Sequence, residues 1–192
     1  MNLAPVTLEG GVVRLEPLSL HHLDPLCAVG LDPSLWTHTT SRVASPAEMR
    51  RYVEAALAEQ AAGTALPFAT VLRESDVVVG STRFGSIAPE HRRVEIGWTW
   101  IAPPWQRTAV NTEAKLLMLR HAFETWGCRR VELKTNARNA RSRAAMLRIG
   151  AREEGTLRKH MINADGSARD SVYFSVVDDE WPAVRERLEA ML

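Results

Sequence analysis

The middle of the chain combines a strand pattern, a short loop, a helix pattern and a second strand pattern. Residues 92–102, RRVEIGWTWIA, alternate with period two, and 129–135, RRVELKT, form the second strand. The alternation places Glu95, Gly97, Thr99 and Ile101 on one face and Ile96, Trp98 and Trp100 on the other. Between the strands, apolar residues recur at helical spacing, at Leu116, Leu119, Phe123 and Trp126. Neighbouring strands joined through a helix run parallel, so we predict a parallel crossover here.

Further segments flank this crossover on both sides. Strand patterns cover 11–18, 66–74 and 76–87, helix patterns cover 19–30, 45–63, 139–150 and 178–192, and a hairpin covers 156–177 with its turn at Asp165–Gly166. The order predicts an α/β (α+β) fold in which helices flank a mixed, mostly antiparallel central sheet. At this length we expect one domain, residues 1–192.

The loop and helix start at residues 102–115, APPWQRTAVNTEAK, have the arrangement of an anion site but no glycine. The first N–H groups of a helix have no partner within it, and they carry a partial positive charge. We therefore expect the first amides of the helix, which Asn111 or Thr112 can cap, to bind a phosphate group. The alternative is a structural loop with an ordinary helix cap.

Charge and composition exclude several classes of protein. Lys and Arg total 24 against 23 Asp and Glu, but residues 129–160 contain ten Lys or Arg and three Glu. This excess favours a small anionic ligand or one polyanion-binding face, or is a solvated surface. Cys27 and Cys128 are isolated and the six His show no metal-ligand spacing, so we expect a cytoplasmic protein without metal. There is no nucleic-acid-binding motif and no stretch long enough to span a membrane.

The segments VEIGWTWI, WQRTAVNTEAKLLMLRHAFE, RVELKTNARNARSRAAMLRIGA and DGSARDSVYFS resemble the GNAT superfamily of acetyl-CoA-dependent N-acetyltransferases. The chain is most similar to the branch of ribosomal-protein N-terminal acetyltransferases. The resemblance implies a GNAT fold with a splayed central strand pair. It also implies direct acetyl transfer from acetyl-CoA to the primary amine of a small molecule or of a peptide or protein N-terminus. A homodimer is compatible with it.

The resemblance also implies a set of coenzyme-binding residues. The family pattern Gln/Arg-x-x-Gly-x-Gly/Ala falls on Gln106–Asn111, where Ala109 and Asn111 stand at the positions that are usually glycine. Asn139 matches the residue that bonds the pantetheine arm, although it also suits a helix N-cap. The implied coenzyme-binding set is Ile101, Gln106, Arg107, Thr108, Ala109, Val110, Asn111, Thr112, Asn139, Ser142 and Arg143.

The catalytic residues implied by the resemblance are Glu95 and Ser142. Glu95 matches the acidic residue of the family's central strand, and its alternative is an ion pair with Arg14 or Arg83. Met146 stands where many relatives have a Tyr acid, which leaves the Ser142 hydroxyl as the proton donor or as a local backbone hydrogen bonder. Substrate contacts are expected from Trp36, His38, Trp98 and Asp170. A second hypothesis is an acyl-CoA-binding module without efficient catalysis.

Overall fold

The computed structural model describes residues 1–192 as eight strands and five α-helices. They are β1 Leu8–Glu9, β2 Val13–Pro17, α1 Leu23–Gly30, α2 Pro46–Ala61, β3 Leu66–Leu72, β4 Val78–Ala88, β5 Arg93–Ile101, α3 Ala109–Arg120, β6 Arg130–Asn136, α4 Ala140–Arg148, β7 Arg152–Ile162, β8 Ala168–Val177 and α5 Trp181–Glu189. The predicted order is confirmed, with one addition. The two-residue β1, which pairs with β2, was too short to show a period in the sequence.

The strands form one mixed sheet in the order β1-β2-β3-β4-β5-β6-β8-β7. Every neighbouring pair is antiparallel except β5 and β6, which run parallel and are joined through α3. Their pairing covers Arg93–Glu95 and the facing Arg130–Glu132, and no pair follows. The predicted crossover and the splayed strand pair are both confirmed.

Hydrophobic clusters cover both faces of the sheet. One contains α3 and α5, and it buries the predicted stripe of Leu116, Leu119, Phe123 and Trp126. The other contains α1, α2 and Trp100. No helix of this fold is both long enough and apolar enough to cross a bilayer.

The predicted alternation along β5 is wrong after Gly97. Trp98 has a φ of 50°, and the register against β4 shifts between Ser81 and Arg83, which marks a β-bulge. Ile96 and Ile101 therefore pack into the same cluster, although strict alternation would place them on opposite faces. The bulge also brings Trp98 to the side of Glu95, where its ring lies under the lysine that binds that carboxylate.

A buried carboxylate of α3 fixes the helix to the start of the sheet. Glu113 accepts hydrogen bonds from the backbone N–H groups of Gly11 at 2.8 Å, Val12 at 2.7 Å and Val13 at 2.6 Å. A Cβ at Gly10 would lie 2.4 Å from the Glu113 carboxyl carbon, so the approach requires glycine. Three donors satisfy the buried charge and hold α3 against the β1–β2 turn.

Glu113→Ala should lower the free energy of unfolding by ~3 kcal/mol or more, because it removes three hydrogen bonds to a buried carboxylate and a bond to a charged group is worth ~1.5–3 kcal/mol. Urea unfolding measures this loss. Glu9→Ala, which removes an exposed carboxylate from β1, is the control and should change stability little. A loss below ~1 kcal/mol in Glu113→Ala would show that hydrogen bonds from water replace the three bonds to Glu113 at little cost in stability.

Lys115 is a second buried charged residue of α3, and it has no carboxylate partner. Its side chain is 6 % exposed, and Nζ donates to the Thr99 hydroxyl at 2.8 Å. Burial disfavours the ammonium form and lowers the pKa of Lys115 from 10.5 to about 7. The unfolded chain therefore binds one more proton than the folded protein between these two pH values.

Stability should consequently rise with pH across that window, by up to ~1.4 kcal/mol per pH unit. Lys115→Met should lack this slope, so the stability of the wild type relative to the variant should improve from pH 7 to pH 10. Unfolding free energies of both proteins at several pH values measure this difference. The other titratable groups are the same in both proteins, so their contributions cancel. A difference that does not vary with pH would contradict the lowered pKa.

Candidate active site

A cleft of about 740 Å³ opens where β5 and β6 separate. Its walls come from these strands, the loop before α3, the start of α3, α4 and the loop after α1, with single residues from α2, β7 and β8. The predicted site residues that line it are Trp36, His38, Glu95, Trp98, Ile101, Gln106, Arg107, Thr108, Asn111, Asn139 and Ser142. Five others do not line it: Ala109, Val110, Thr112, Arg143 and Asp170. The topology thus gathers most of the predicted set in one place.

The loop before α3 makes its turn without glycine because Arg107 takes the left-handed conformation. Its φ is 61°, which costs a non-glycine residue roughly 1–2 kcal/mol. Thr108 follows in an extended conformation and caps α3, since its hydroxyl accepts from the Val110 N–H at 3.3 Å. The same hydroxyl donates to the Trp105 carbonyl at 2.7 Å. The side chain therefore ties the helix start to the loop.

The predicted capping by Asn111 or Thr112 is wrong, because Thr108 already occupies that role. The Thr112 hydroxyl is buried and accepts from Arg148 at 2.9 Å instead. Asn111 keeps its Oδ1 buried without any hydrogen-bond partner. A buried carbonyl oxygen of this kind is available to a donor from a ligand.

Three backbone amides at the start of α3 remain without an acceptor in the chain, those of Thr108, Ala109 and Asn111. Next to them, Gln106 donates to the Ile101 carbonyl at 2.7 Å and accepts from Arg141 at 2.6 Å. The loop thus offers free N–H donors at the positive end of a helix, with cationic side chains beside them.

The first turn of α4 presents a free hydroxyl to the cleft. Asn139 caps this helix, with Oδ1 accepting from the Ser142 N–H at 3.0 Å. The Ser142 hydroxyl itself makes no hydrogen bond, and Met146 lies one turn further along the same wall. Arg143 pairs with Glu153 at 3.1 Å on the outer side of the helix.

Glu95 is 3 % exposed and is held by two side chains through one oxygen. Oε2 accepts from Lys134 Nζ at 2.7 Å and from the Ser86 hydroxyl at 3.0 Å, while Oε1 accepts no hydrogen bond. A Cβ at Gly97 would lie 2.8 Å from Oε1, so this glycine leaves the oxygen accessible.

The partner of Glu95 differs from both arginines considered from the sequence. Arg14 pairs with Glu16 and Asp76, and Arg83 pairs with Glu59 at 2.8 Å. The bond to Lys134 depends on β5 and β6 being neighbours, which brings together residues far apart in the chain.

The acceptor-side residues differ in how they are held. Trp36 is buried, donates from Nε1 to the Gly30 carbonyl at 2.9 Å and packs edge-on against Tyr52, so it anchors the loop as well as lining the cleft. His38 is half-buried beside it. Asp170 accepts from the Lys159 N–H at 2.7 Å outside the cleft, and this bond joins β7 to β8.

Among the basic residues of the cleft that sequence analysis missed are Lys115, Lys134, Arg148 and Arg169. Strand periodicity could have placed Lys134 on the face of Glu132, and Arg169 on the face of Tyr173. No local signal marks Lys115, which lies next to the apolar stripe of α3. No cluster of three or more His, Cys, Asp or Glu side chains is arranged to hold a metal ion.

Comparison with known proteins agrees with this architecture. Residues 13–152 match the model of the acetyltransferase (GNAT) domain. A GCN5-related N-acetyltransferase from Brucella melitensis is 34% identical with a TM-score of 0.89, and the match covers 97% of this chain and 85% of that one. Mycobacterium smegmatis RimJ in complex with CoA-disulfide is 25% identical with a TM-score of 0.83, covering 98% and 95%.

Among curated sequences, the uncharacterised N-acetyltransferase YnaD of Bacillus subtilis (strain 168) is 29% identical over 114 residues. That alignment covers 59% of this chain and 65% of YnaD, so slightly less than two thirds of the relative is matched. The family is instead shown by the domain match over residues 13–152, together with two structural matches that each cover nearly the whole chain. This chain belongs to the GNAT family of acetyltransferases, and its likeness to RimJ agrees with the ribosomal-protein N-terminal acetyltransferase branch.

Proposed function

We propose that this protein transfers an acetyl group from acetyl-CoA to a primary amine, carried by a small molecule or by a peptide or protein N-terminus. The observation that carries the proposal is the row of unpaired amides at the start of α3, where Thr108 and Asn111 line the cleft that opens between β5 and β6. These amides form an anion site, and the gap between the strands ends beside the buried carboxylate of Glu95. The two features together suit a long anionic cosubstrate whose reactive end lies in the gap.

The residues present fit coenzyme A. The amides of Thr108, Ala109 and Asn111 would hold its pyrophosphate, and Arg107 and Arg141 would add charge-assisted bonds. Ile101, Gln106 and Asn139 line the channel that leads inward, where the pantetheine arm would lie. When bound, acetyl-CoA supplies an activated acetyl thioester.

The chain's own groups then serve the acceptor amine. A free alkyl amine is mostly protonated at neutral pH and must lose a proton before it can attack. Glu95 Oε1 accepts that proton directly or through a water, while Lys134 and Ser86 hold the carboxylate in position. Backbone groups of β5 beyond Glu95 have no partner on β6, and an N–H there stabilises negative charge on the acetyl oxygen. The Ser142 hydroxyl donates to the departing sulfur.

An acyl-CoA-binding module without efficient catalysis is the second candidate. Met146 in place of a hydroxyl acid and the pairing of Glu95 with Lys134 both favour it. Incubation with acetyl-CoA and a panel of small amines and free N-terminal peptides separates the two. Release of coenzyme A with acetylation of an amine supports the enzyme, and coenzyme binding without turnover on the panel supports the module.

Ala109→Pro should weaken coenzyme A binding by ~10-fold or more, because it removes one free N–H and a bond to a charged group is worth ~1.5–3 kcal/mol. Proline is tolerated at the first position of a helix, and Thr108 before it is already extended. Calorimetric titration with coenzyme A measures the change. Ala109→Ser keeps the amide and is the matched control. Equal affinities in the two variants would count against the site.

Glu95→Gln should lower kcat by at least ~10-fold with coenzyme affinity kept, since a positioned base contributes ~10²–10⁴-fold. The loss should shrink as pH rises and free amine accumulates. Ser142→Ala should cost less, because thiolates leave with little help. Glu132→Gln removes another buried carboxylate of the sheet, outside the cleft, and serves as control. Near-wild-type kcat in both site variants at every pH would show that neither Glu95 nor Ser142 has the proposed role. Catalysis would then depend on the positioning of the substrates.

A further inference from the structure

Arg169 is a buried cation without a partner. The residue is 7 % exposed, its Nε is buried with no hydrogen-bond partner, and no carboxylate pairs with its guanidinium. Its side chain lines the cleft. Burial of an unpaired charge is costly, so such groups concentrate where a ligand completes them.

Four other basic residues in or near the cleft each have a partner for their charged group. Lys134 pairs with Glu95 at 2.7 Å, and Arg83 pairs with Glu59 at 2.8 Å. Arg141 donates to the Gln106 side chain at 2.6 Å, and Arg148 donates to the Thr112 hydroxyl at 2.9 Å. Arg169 is thus a buried guanidinium with neither an ion pair nor a hydrogen bond, whereas Arg83, whose Nε is also buried without a partner, keeps its ion pair with Glu59.

Strand pairing places Arg169 on the same face of the sheet as Glu95. Along β8 it shares a face with Ser171 and Tyr173. The Tyr173 ring lies 5.9 Å from Lys134 Nζ, and Lys134 in turn binds Glu95. Burial lowers the pKa of the Arg169 guanidinium, and the nearby Glu95 and Tyr173 raise it. The loop before α3 has an arginine of its own, Arg107.

Because of the position of Arg169, we expect the anion that pairs with it to come from the acceptor and not from the cosubstrate. The phosphates of coenzyme A fit the start of α3, and the pantetheine arm that would reach inward carries no charge. We propose that the acceptor amine bears a carboxylate, which Arg169 binds in the cleft while the amine lies beside Glu95. This inference rests on the proposed acetyl transfer. Arginine suits the task because its planar guanidinium binds a carboxylate through two parallel bonds.

The wild-type protein tests the inference with matched acceptor pairs. One arm compares free amino acids with their carboxamides, and the other compares dipeptides that have Asp or Asn as the second residue. The first arm reports an α-carboxylate and the second a side-chain carboxylate near a peptide N-terminus. Rates are compared per neutral amine, because a nearby carboxylate raises the amine pKa. We expect kcat/KM to favour the acid by ~10-fold or more in at least one arm.

Arg169→Gln should reduce that preference to about one and leave kcat/KM for the neutral amides unchanged. Arg158→Gln, which removes an exposed arginine of β7, is the control and should keep the preference. Calorimetry supplies a readout that does not depend on turnover. The N-acetylated acid of the preferred pair should bind the wild type and lose ~10-fold or more in affinity in Arg169→Gln, whereas coenzyme A affinity should not change.

The outcomes separate the two proposals. Acetylation of acids and amides at equal rates in both arms overturns the carboxylate inference and keeps the acetyltransferase. Acetylation of no amine in any arm overturns the proposed function, and this inference with it. A preference for the acid that survives in Arg169→Gln shows that another group binds the carboxylate. If that variant does not fold, the wild-type preference and product binding decide.

Discussion

The pairing of β5 with β6 stops after Glu95, and the candidate site exists because of that interruption. Beyond it, both strands have one edge without a strand partner, and α3 begins beside the gap with three free amides. A fully paired sheet would have no space for a ligand here and no unused backbone donors. The crossover through α3 explains why the gap and the helix start meet, since the same helix connects the two strands.

The orientation of α3 depends on a buried carboxylate, Glu113, where the helix packs against the β1–β2 turn. Glu113 receives three backbone bonds from the β1–β2 turn, so the helix cannot slide along the sheet without leaving a buried charge and three amides unpaired. Lys115 lies on the same helix with only a hydroxyl partner. Its lowered pKa favours a neutral amine near physiological pH, which keeps the interior of the cleft less positive than the sequence suggests.

Periodicity and capping signals predicted most of the strands and helices, because these depend on neighbouring residues. The loop before α3 and the start of α4 were also located correctly, since turn and cap residues act locally. Features that depend on distant contacts were missed. The bulge at Trp98 and the left-handed Arg107 give no local signal, and both residue types normally avoid a positive φ.

Charge partners show the same limit. Glu113 bonds to an amide 102 residues away, and Glu95 bonds to Lys134 across two strands that only the folded topology makes neighbours. Arg169 lies in the segment DGSARDSVYFS, one of those that resemble the GNAT family. Only the folded structure shows that it has no partner. The sequence could predict which segments form the site, whereas the folded structure was needed to decide which charges are satisfied.

A crystal structure with coenzyme A bound tests the central claim most directly, namely that the start of α3 and the gap between β5 and β6 form one binding site. The account predicts pyrophosphate oxygens within hydrogen-bonding distance of the Thr108, Ala109 and Asn111 amides, and a pantetheine arm between the two strands. A pyrophosphate bound elsewhere, with these amides contacting only water, would contradict it.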